Sequence, residues 1–124
     1  MRLEPVTAAH AEALAAIHRT AFAPGETWSA AVIALHLGLP GGFGFIDPDG
    51  GMILARTILE EAEILTLAVL PESRRAGLGR ALLDAAMRHA TATSANTMFL
   101  EVAEANAAAR RLYTCRGFTE TGRR

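Results

Sequence analysis

Apolar and polar positions recur with two different periods along this chain. After a short extended start at residues 2–5, Leu14, Ile17 and His18 fall on one face of a helix over residues 8–21, with Thr7 as its N-cap. Ala23-Pro24-Gly25 breaks that helix. A second helix is expected from about residue 28 to 37, with Val32, Ile33 and Leu35 as its apolar surface, and Leu39-Pro40-Gly41-Gly42 as the turn behind it. The period then shortens. Residues 43–46 read as a strand, 47–51 as a hairpin loop, 52–59 as the returning strand and 63–69 as the next.

Helical periodicity returns over residues 77–90, where Leu78, Leu82, Ala85 and Ala86 form one face. Arg80, Asp84 and Arg88 stand four apart on the opposite face, where successive opposite charges attract. Residues 97–102 read as a strand and 106–116 as a helix ended by Gly117. Arg110, Arg111 and Arg116 lie toward that helix's negative end. A last strand is expected from Phe118 onward. The predicted fold class is therefore α/β: a mixed sheet sandwiched by helices, in one domain over residues 1–124.

Composition narrows the function classes. A hydrophobic content of 51% is ample for a core, and no apolar run is long enough to span a bilayer. Glu4, Pro5 and His10 interrupt any signal-peptide core at the start. A net charge of −1 gives no general attraction for nucleic acid or anionic lipid. One cysteine, Cys115, cannot staple a fold, so a cytoplasmic protein is expected. All 12 basic residues are arginine, which leaves no lysine for Schiff-base chemistry.

The most informative segment is LAVLPESRRAGLGRALL, residues 67–83. A β-rich run ends at Val69, a loop carries Pro71, Arg74, Arg75, Gly77 and Gly79, and a helix starts at once. A helix N-terminus exposes unpaired N–H groups at the positive end of its dipole. Glycines admit an anion close to the backbone, and arginines add charge-assisted bonds to phosphate oxygens. The segment reads as an anion site for a phosphorylated ligand. A Walker P-loop is excluded because there is no lysine. A Rossmann fingerprint does not fit either, because the turn follows several strands with R-x-x-G-x-G spacing.

Arg74-x-x-Gly77-x-Gly79 resembles the Q/R-x-x-G-x-G/A motif with which the GNAT superfamily of N-acetyltransferases binds the pyrophosphate of coenzyme A. EAEILTLAVLPESRRAGLGRALL and FLEVAEANAAARRLYTCRGF extend the resemblance over residues 61–118, toward the bacterial ribosomal-protein-alanine N-acetyltransferases of the RimI type. Residues 1–60 match in layout, with Phe22 and Trp28-Ser29 similar to a short aromatic segment between the first two helices. The resemblance implies a GNAT acyltransferase fold with acetyl-CoA as cosubstrate and no metal. It lays Leu67, Ala68 and Val69 along the pantetheine arm, and Arg74, Arg75, Ala76, Gly77, Leu78, Gly79 and Arg80 around the phosphates. Asn106 would cap the helix it begins, hydrogen-bond the cofactor, or both.

Acetylating an amine requires a neutral amine, a stabilised oxyanion and a proton for the departing thiolate. A carboxylate and a phenol suit the first and last tasks. By resemblance, Glu101 in Leu100-Glu101-Val102 is the base and Tyr113, twelve residues on, the acid. On strand alternation alone Glu101 is equally a solvent-facing residue, and Tyr113 alone a packing residue. A backbone N–H near Val69 is the candidate oxyanion donor, if two parallel strands part there.

The four histidines show no metal-ligand spacing and are expected at helix surfaces or partly buried. Glu60, Glu61 and Glu63 read as a solvated turn. Trp28 is expected in the core or at the acceptor entrance. The expected acceptor is a protein N-terminal α-amine, a ribosomal protein first; the rivals are a small-molecule amine and a weakly catalytic coenzyme A-binding domain. Relatives of this type continue past the Gly117-Phe118 segment with a further strand, whereas this sequence stops at Thr121-Gly122-Arg123-Arg124. A truncated or longer product, or a partner chain covering the open sheet edge of a dimer, would each account for that, and few tertiary contacts are expected after Thr121.

Overall fold

The computed structural model describes residues 2–74 and 76–121. A two-residue strand β1 (Glu4–Pro5) leads through a 3-10 turn (Ala8–His10) into α1 (Ala11–Ala21) and α2 (Ala30–Gly38). A meander of β2 (Gly42–Asp47), β3 (Gly51–Ile58) and β4 (Glu61–Val69) follows, then α3 (Leu78–Ala92), β5 (Thr97–Leu100) and α4 (Ala107–Cys115). The sheet order is β1-β2-β3-β4-β5. The first four strands pair antiparallel and β5 joins β4 in parallel. A parallel neighbour needs a crossover, which α3 supplies.

Local chemistry sets the element ends. Thr7 accepts from the Ala9 N–H while the His10 ring accepts from the Thr7 N–H, a capping box made with histidine. Ser29 caps α2 through the Val32 N–H. Asn106 caps α4 through the Ala109 N–H at 3.1 Å. Gly117, at φ +95°, takes the left-handed turn that ends α4.

Helices cover both faces of the sheet. One layer packs α1 and α2 (Leu14, Ala15, Ile33) on Met52, Leu54 and Ala68. The other packs α3 and α4 (Leu82, Leu83, Ala86, Tyr113) on Ile53, Ala55 and Ile64. That is why Met52 to Ala55 are buried without alternation. Leu82 is fully buried at the centre of the second layer. Leu82→Ala should cost about 2–5 kcal/mol through lost burial and the cavity left behind, read as a lower urea midpoint at unchanged slope.

Several expectations are corrected. No strand forms over residues 118–121; Phe118 instead packs edge-on against Tyr113 with ring centroids 5.7 Å apart. The fifth strand stops at Leu100, leaving Glu101 and Val102 outside it. Asp84 does not complete a ladder along α3. It binds Arg116, with Oδ1 2.9 Å from Nη2 and 3.0 Å from Nε, tying α3 to the end of α4. Both side chains are about one-quarter exposed, so the pair contributes less than about 1 kcal/mol. Residues 122–124, where few contacts were expected, lie outside the described residues.

Candidate active site

The site is organised by an irregularity in β4. Leu54 of β3 opposes Thr66, whereas Ala55 opposes Ile64, so Leu65 is an extra residue and β4 bulges there. The extra residue inverts the alternation. Before it, Ala62 and Ile64 face the α3 layer; after it, Leu67 and Val69 face that layer, while Ala68 and Leu70 face α1 and α2. Pairing to β5 covers only Glu61 to Ile64, opposite Thr97 to Leu100. Leu65 to Val69 therefore have β3 on one side and no described strand on the other. The expected parting of the two parallel strands is present, and it begins at the bulge.

This parting leaves backbone groups for other use. The Leu70 N–H donates to the Gly50 carbonyl at 2.7 Å. Val69, opposite Gly51, therefore occupies a non-hydrogen-bonded pair, and alternation turns its N–H and C=O away from β3. The carbonyl is engaged there by Arg74, whose Nε donates to it at 3.0 Å. The first arginine of the glycine-rich turn thus folds back and braces the strand end.

The turn itself is held from below by the β2–β3 hairpin. The Ser73 hydroxyl donates to the Asp49 carbonyl at 3.3 Å. A Cβ on Gly50 would lie 2.2 Å from the Ser73 Oγ, so only glycine permits this approach. Gly77, at φ +80° and ψ 11°, is the N-cap of α3 and has no side-chain partner for the helix N–H groups. The first intrahelical bond runs from the Ala81 N–H to the Gly77 carbonyl at 3.0 Å. The N–H groups of Leu78, Gly79 and Arg80 thus lie ahead of the helical ladder, where an anion is favoured. Ala76, Gly77 and Arg80 are exposed and Leu78 is buried as the anchor of the turn. Arg75 lies outside the described residues.

Gly79 differs from Gly77. A Cβ there would meet Leu112 Cδ2 at 3.6 Å and Val69 Cγ2 at 3.7 Å, ordinary contact distances. The same measurement shows that α4, α3 and the end of β4 converge at this point. Because the position is helical and roomy, Gly79→Ala should stabilise the fold by up to about 1 kcal/mol, seen as a higher Tm.

Tyr113 is buried within the α3 layer. Burial pushes its phenol pKa above 10.0, so it holds its proton throughout the neutral range. Glu101 is exposed, immediately beyond the last β5 residue that pairs with β4. Leu67 and Val69 are half-buried, Ala68 is buried, and Asn106 is exposed at the start of α4. The fold therefore gathers the glycine turn, Val69 and the α4 residues on one side of the sheet. Glu101 follows β5 at the point where β4 and β5 part.

The histidines were expected at surfaces or partly buried, but His18 is 1% exposed. Its Nε2 lies 3.0 Å from the Thr66 Oγ1, and its Nδ1 accepts from the Trp28 N–H at 3.2 Å. Sequence gave no sign of the Thr66 partner, because only the bulge brings that residue to face α1.

No helix among the described residues is long and apolar enough to cross a membrane. The comparisons with known proteins agree with the geometry. The chain is 40% identical over 67 residues to the [ribosomal protein bS18]-alanine N-acetyltransferase of Escherichia coli K12, a match covering 54% of this chain and 45% of that one. It is 46% identical over 57 residues to mycothiol acetyltransferase of Thermobispora bispora, covering 46% of this chain and 19% of that one. The chain thus spans about half the length, or less, of these relatives. The crystal structure of the E. coli ribosomal-protein-S18-alanine N-acetyltransferase superposes with a TM-score of 0.86 at 29% identity, covering 98% of this chain and 79% of that one. The AAC(6')-Iy structure in complex with a CoA-S-monomethyl-acetylneamine bisubstrate analog has the same fold, with a TM-score of 0.81 at 20% identity, covering 99% and 93%. Residues 11–118 match the Acetyltransferase (GNAT) family, and with the parted β4–β5 strands and the glycine turn at the head of α3, the chain belongs to that family.

Proposed function

We propose that this chain transfers an acetyl group from acetyl-CoA to a primary amine, with the α-amine of a protein N-terminus, a ribosomal protein in particular, as acceptor. The observation that carries the reading is the opening between β4 and β5 beside an N-terminal helix turn lacking side chains at Gly77 and Gly79. Acetyl-CoA supplies the activated acyl group when bound. In this reading the N–H groups of Leu78, Gly79 and Arg80, the exposed Arg80 side chain and Ala76 serve its phosphates, joined by Arg74 through the nitrogens that its Val69 bond leaves over and by Arg75, which lies outside the described residues. Leu67, Ala68 and Val69 offer an unpaired strand edge to an amide-bearing arm. Asn106 already caps α4, and its second role is a bond to the cosubstrate.

The chain's own groups then move protons. Glu101 accepts a proton from the attacking amine through its carboxylate. The amine nitrogen bonds to the acetyl carbon, and the carbon–sulfur bond breaks. The Val69 N–H, turned away from β3, donates to the oxygen that carries negative charge during transfer. Tyr113, whose phenol pKa burial raises above its ordinary 10.0, gives its proton to the leaving sulfur.

The test is acetyl transfer measured on synthetic peptides beginning with alanine, against free polyamines and aminoglycosides, beside calorimetry with acetyl-CoA. Turnover on the peptides supports the proposal. Turnover on small amines alone moves the acceptor to small molecules. Cosubstrate binding with no turnover on any amine overturns the catalytic reading in favour of a binding domain.

A further inference from the structure

Four rings stack in series between α1 and α2. Phe22 and His18 lie 4.3 Å apart by ring centroids, His18 and Trp28 5.7 Å, and Trp28 and His36 5.1 Å. His18 is the joint of this series. Its Nδ1 can only accept from the Trp28 backbone N–H, so in the neutral ring the proton sits on Nε2 and donates to the Thr66 hydroxyl. One buried side chain thereby links α1, the segment between α1 and α2, and β4. An apolar residue would fill the same space without either directional bond.

The place of the link gives it meaning. Thr66 is the first residue after the Leu65 bulge and adjoins Leu67, on the stretch of β4 without a β5 neighbour. It faces the α1–α2 layer, opposite the layer that holds the phosphate turn and Tyr113. Trp28 is half-buried, its ring stacked between those of His18 and His36. We propose that His18 is a positioning residue for the acceptor side of the site, its neutral ring fastening the Trp28 segment to Thr66 on the unpaired half of β4. The proposal rests on the acetyl-transfer reading for the word acceptor; the link itself does not.

The link has a protonation requirement. An imidazolium carries a hydrogen on both nitrogens, so His18 loses its acceptor for the Trp28 N–H when protonated. Around the ring stand Phe22 just after α1, Trp28 from the segment before α2 and the neutral Thr66 from β4. The titratable His36 of α2 lies across the Trp28 ring. Arg19 and Glu26, the charged neighbours in sequence, are exposed. Burial lowers the His18 pKa below its ordinary 6.5. A lowered value means the unfolded chain takes the proton first as pH falls. The stability held by the neutral ring is then present above 6.5 and is lost as pH drops through the folded-state value.

The experiment uses the full chain with acetyl-CoA and a synthetic peptide beginning with alanine, together with emission from Trp28, the one tryptophan of the sequence. In His36→Asn protein, Trp28 emission should titrate with a midpoint below 6.5. Adding His18→Asn, which keeps an acceptor for the Trp28 N–H, should abolish that titration. His18→Leu should raise the peptide KM by about tenfold, an energy of ~1.4 kcal/mol, leave the acetyl-CoA KM unchanged and increase quenching of Trp28 by acrylamide. His18→Asn should recover most of the peptide KM, and Thr66→Val should shift it in the same direction as His18→Leu while removing one hydroxyl. An unchanged peptide KM in both His18→Leu and Thr66→Val overturns the positioning role. A titration that survives removal of His18 overturns the link. Silence toward every amine in the parent protein instead overturns the acetyl-transfer reading, and the acceptor role with it.

Discussion

Tyr113→Phe should slow acetyl transfer by about 10²–10⁴-fold, the usual contribution of a positioned acid or base, with acetyl-CoA affinity nearly unchanged. The variant removes one hydroxyl and keeps the ring, which packs in the α3 layer and against Phe118. Its fold should therefore survive. Glu101→Gln should lose turnover by a similar factor, most at low pH, where less of the acceptor amine is already neutral. Glu101 is exposed just outside β5, so this exchange leaves the core untouched. Stopped-flow or quenched measurement of the chemical step distinguishes the two contributions from product release. Near parental rates in both variants, with chemistry limiting, would remove Glu101 and Tyr113 from the mechanism.

Gly77→Glu should weaken acetyl-CoA binding by at least about tenfold, or roughly 1.4 kcal/mol. Two effects act together. The residue sits at φ +80°, where a side chain such as that of glutamate adds about 1–2 kcal/mol of strain. The carboxylate also enters the space ahead of the Leu78, Gly79 and Arg80 N–H groups, where it competes with a phosphate for the same donors. Gly77→Asn separates these effects, because asparagine tolerates the left-handed conformation and carries no charge. It should keep most of the affinity, as should Gly79→Ala, whose added methyl meets only Leu112 and Val69 at ordinary distances. Calorimetry with acetyl-CoA decides the matter, and an affinity unmoved by Gly77→Glu in folded protein would dissociate the turn from the phosphates.

Much of the fold was legible because its signals are local. Thr7 and Asn106 cap the elements that follow them, Ala23-Pro24-Gly25 separates α1 from α2, and Gly117 closes α4. The turn ahead of α3 was legible from the Arg74-x-x-Gly77-x-Gly79 spacing for the same reason: a left-handed glycine before a helix depends on a few consecutive residues. The strand expected after Phe118 failed because a short apolar stretch reads alike as a strand or as a packed tail. Among the described residues the ring of Phe118 packs on Tyr113 instead. Asp84 was misread because spacing along one helix is blind to a charge arriving from another.

The sequence by itself determined the order of elements as far as α4, the amphipathic faces of α1 and α3 and the glycine turn, all of which follow from neighbouring residues and their spacing, while the pair of Glu101 and Tyr113 came from the family resemblance alone. Tertiary structure alone decided which backbone groups are left unpaired and which side chains meet. The bulge at Leu65 arises from the register between β3 and β4, a relation between residues distant along the chain. That register turns Thr66 toward His18 and the Val69 N–H away from β3. The burial that raises the Tyr113 pKa and lowers that of His18 likewise depends on layers from both halves of the chain closing over them. Desolvation belongs to the packed environment and is not a property of the residue that experiences it.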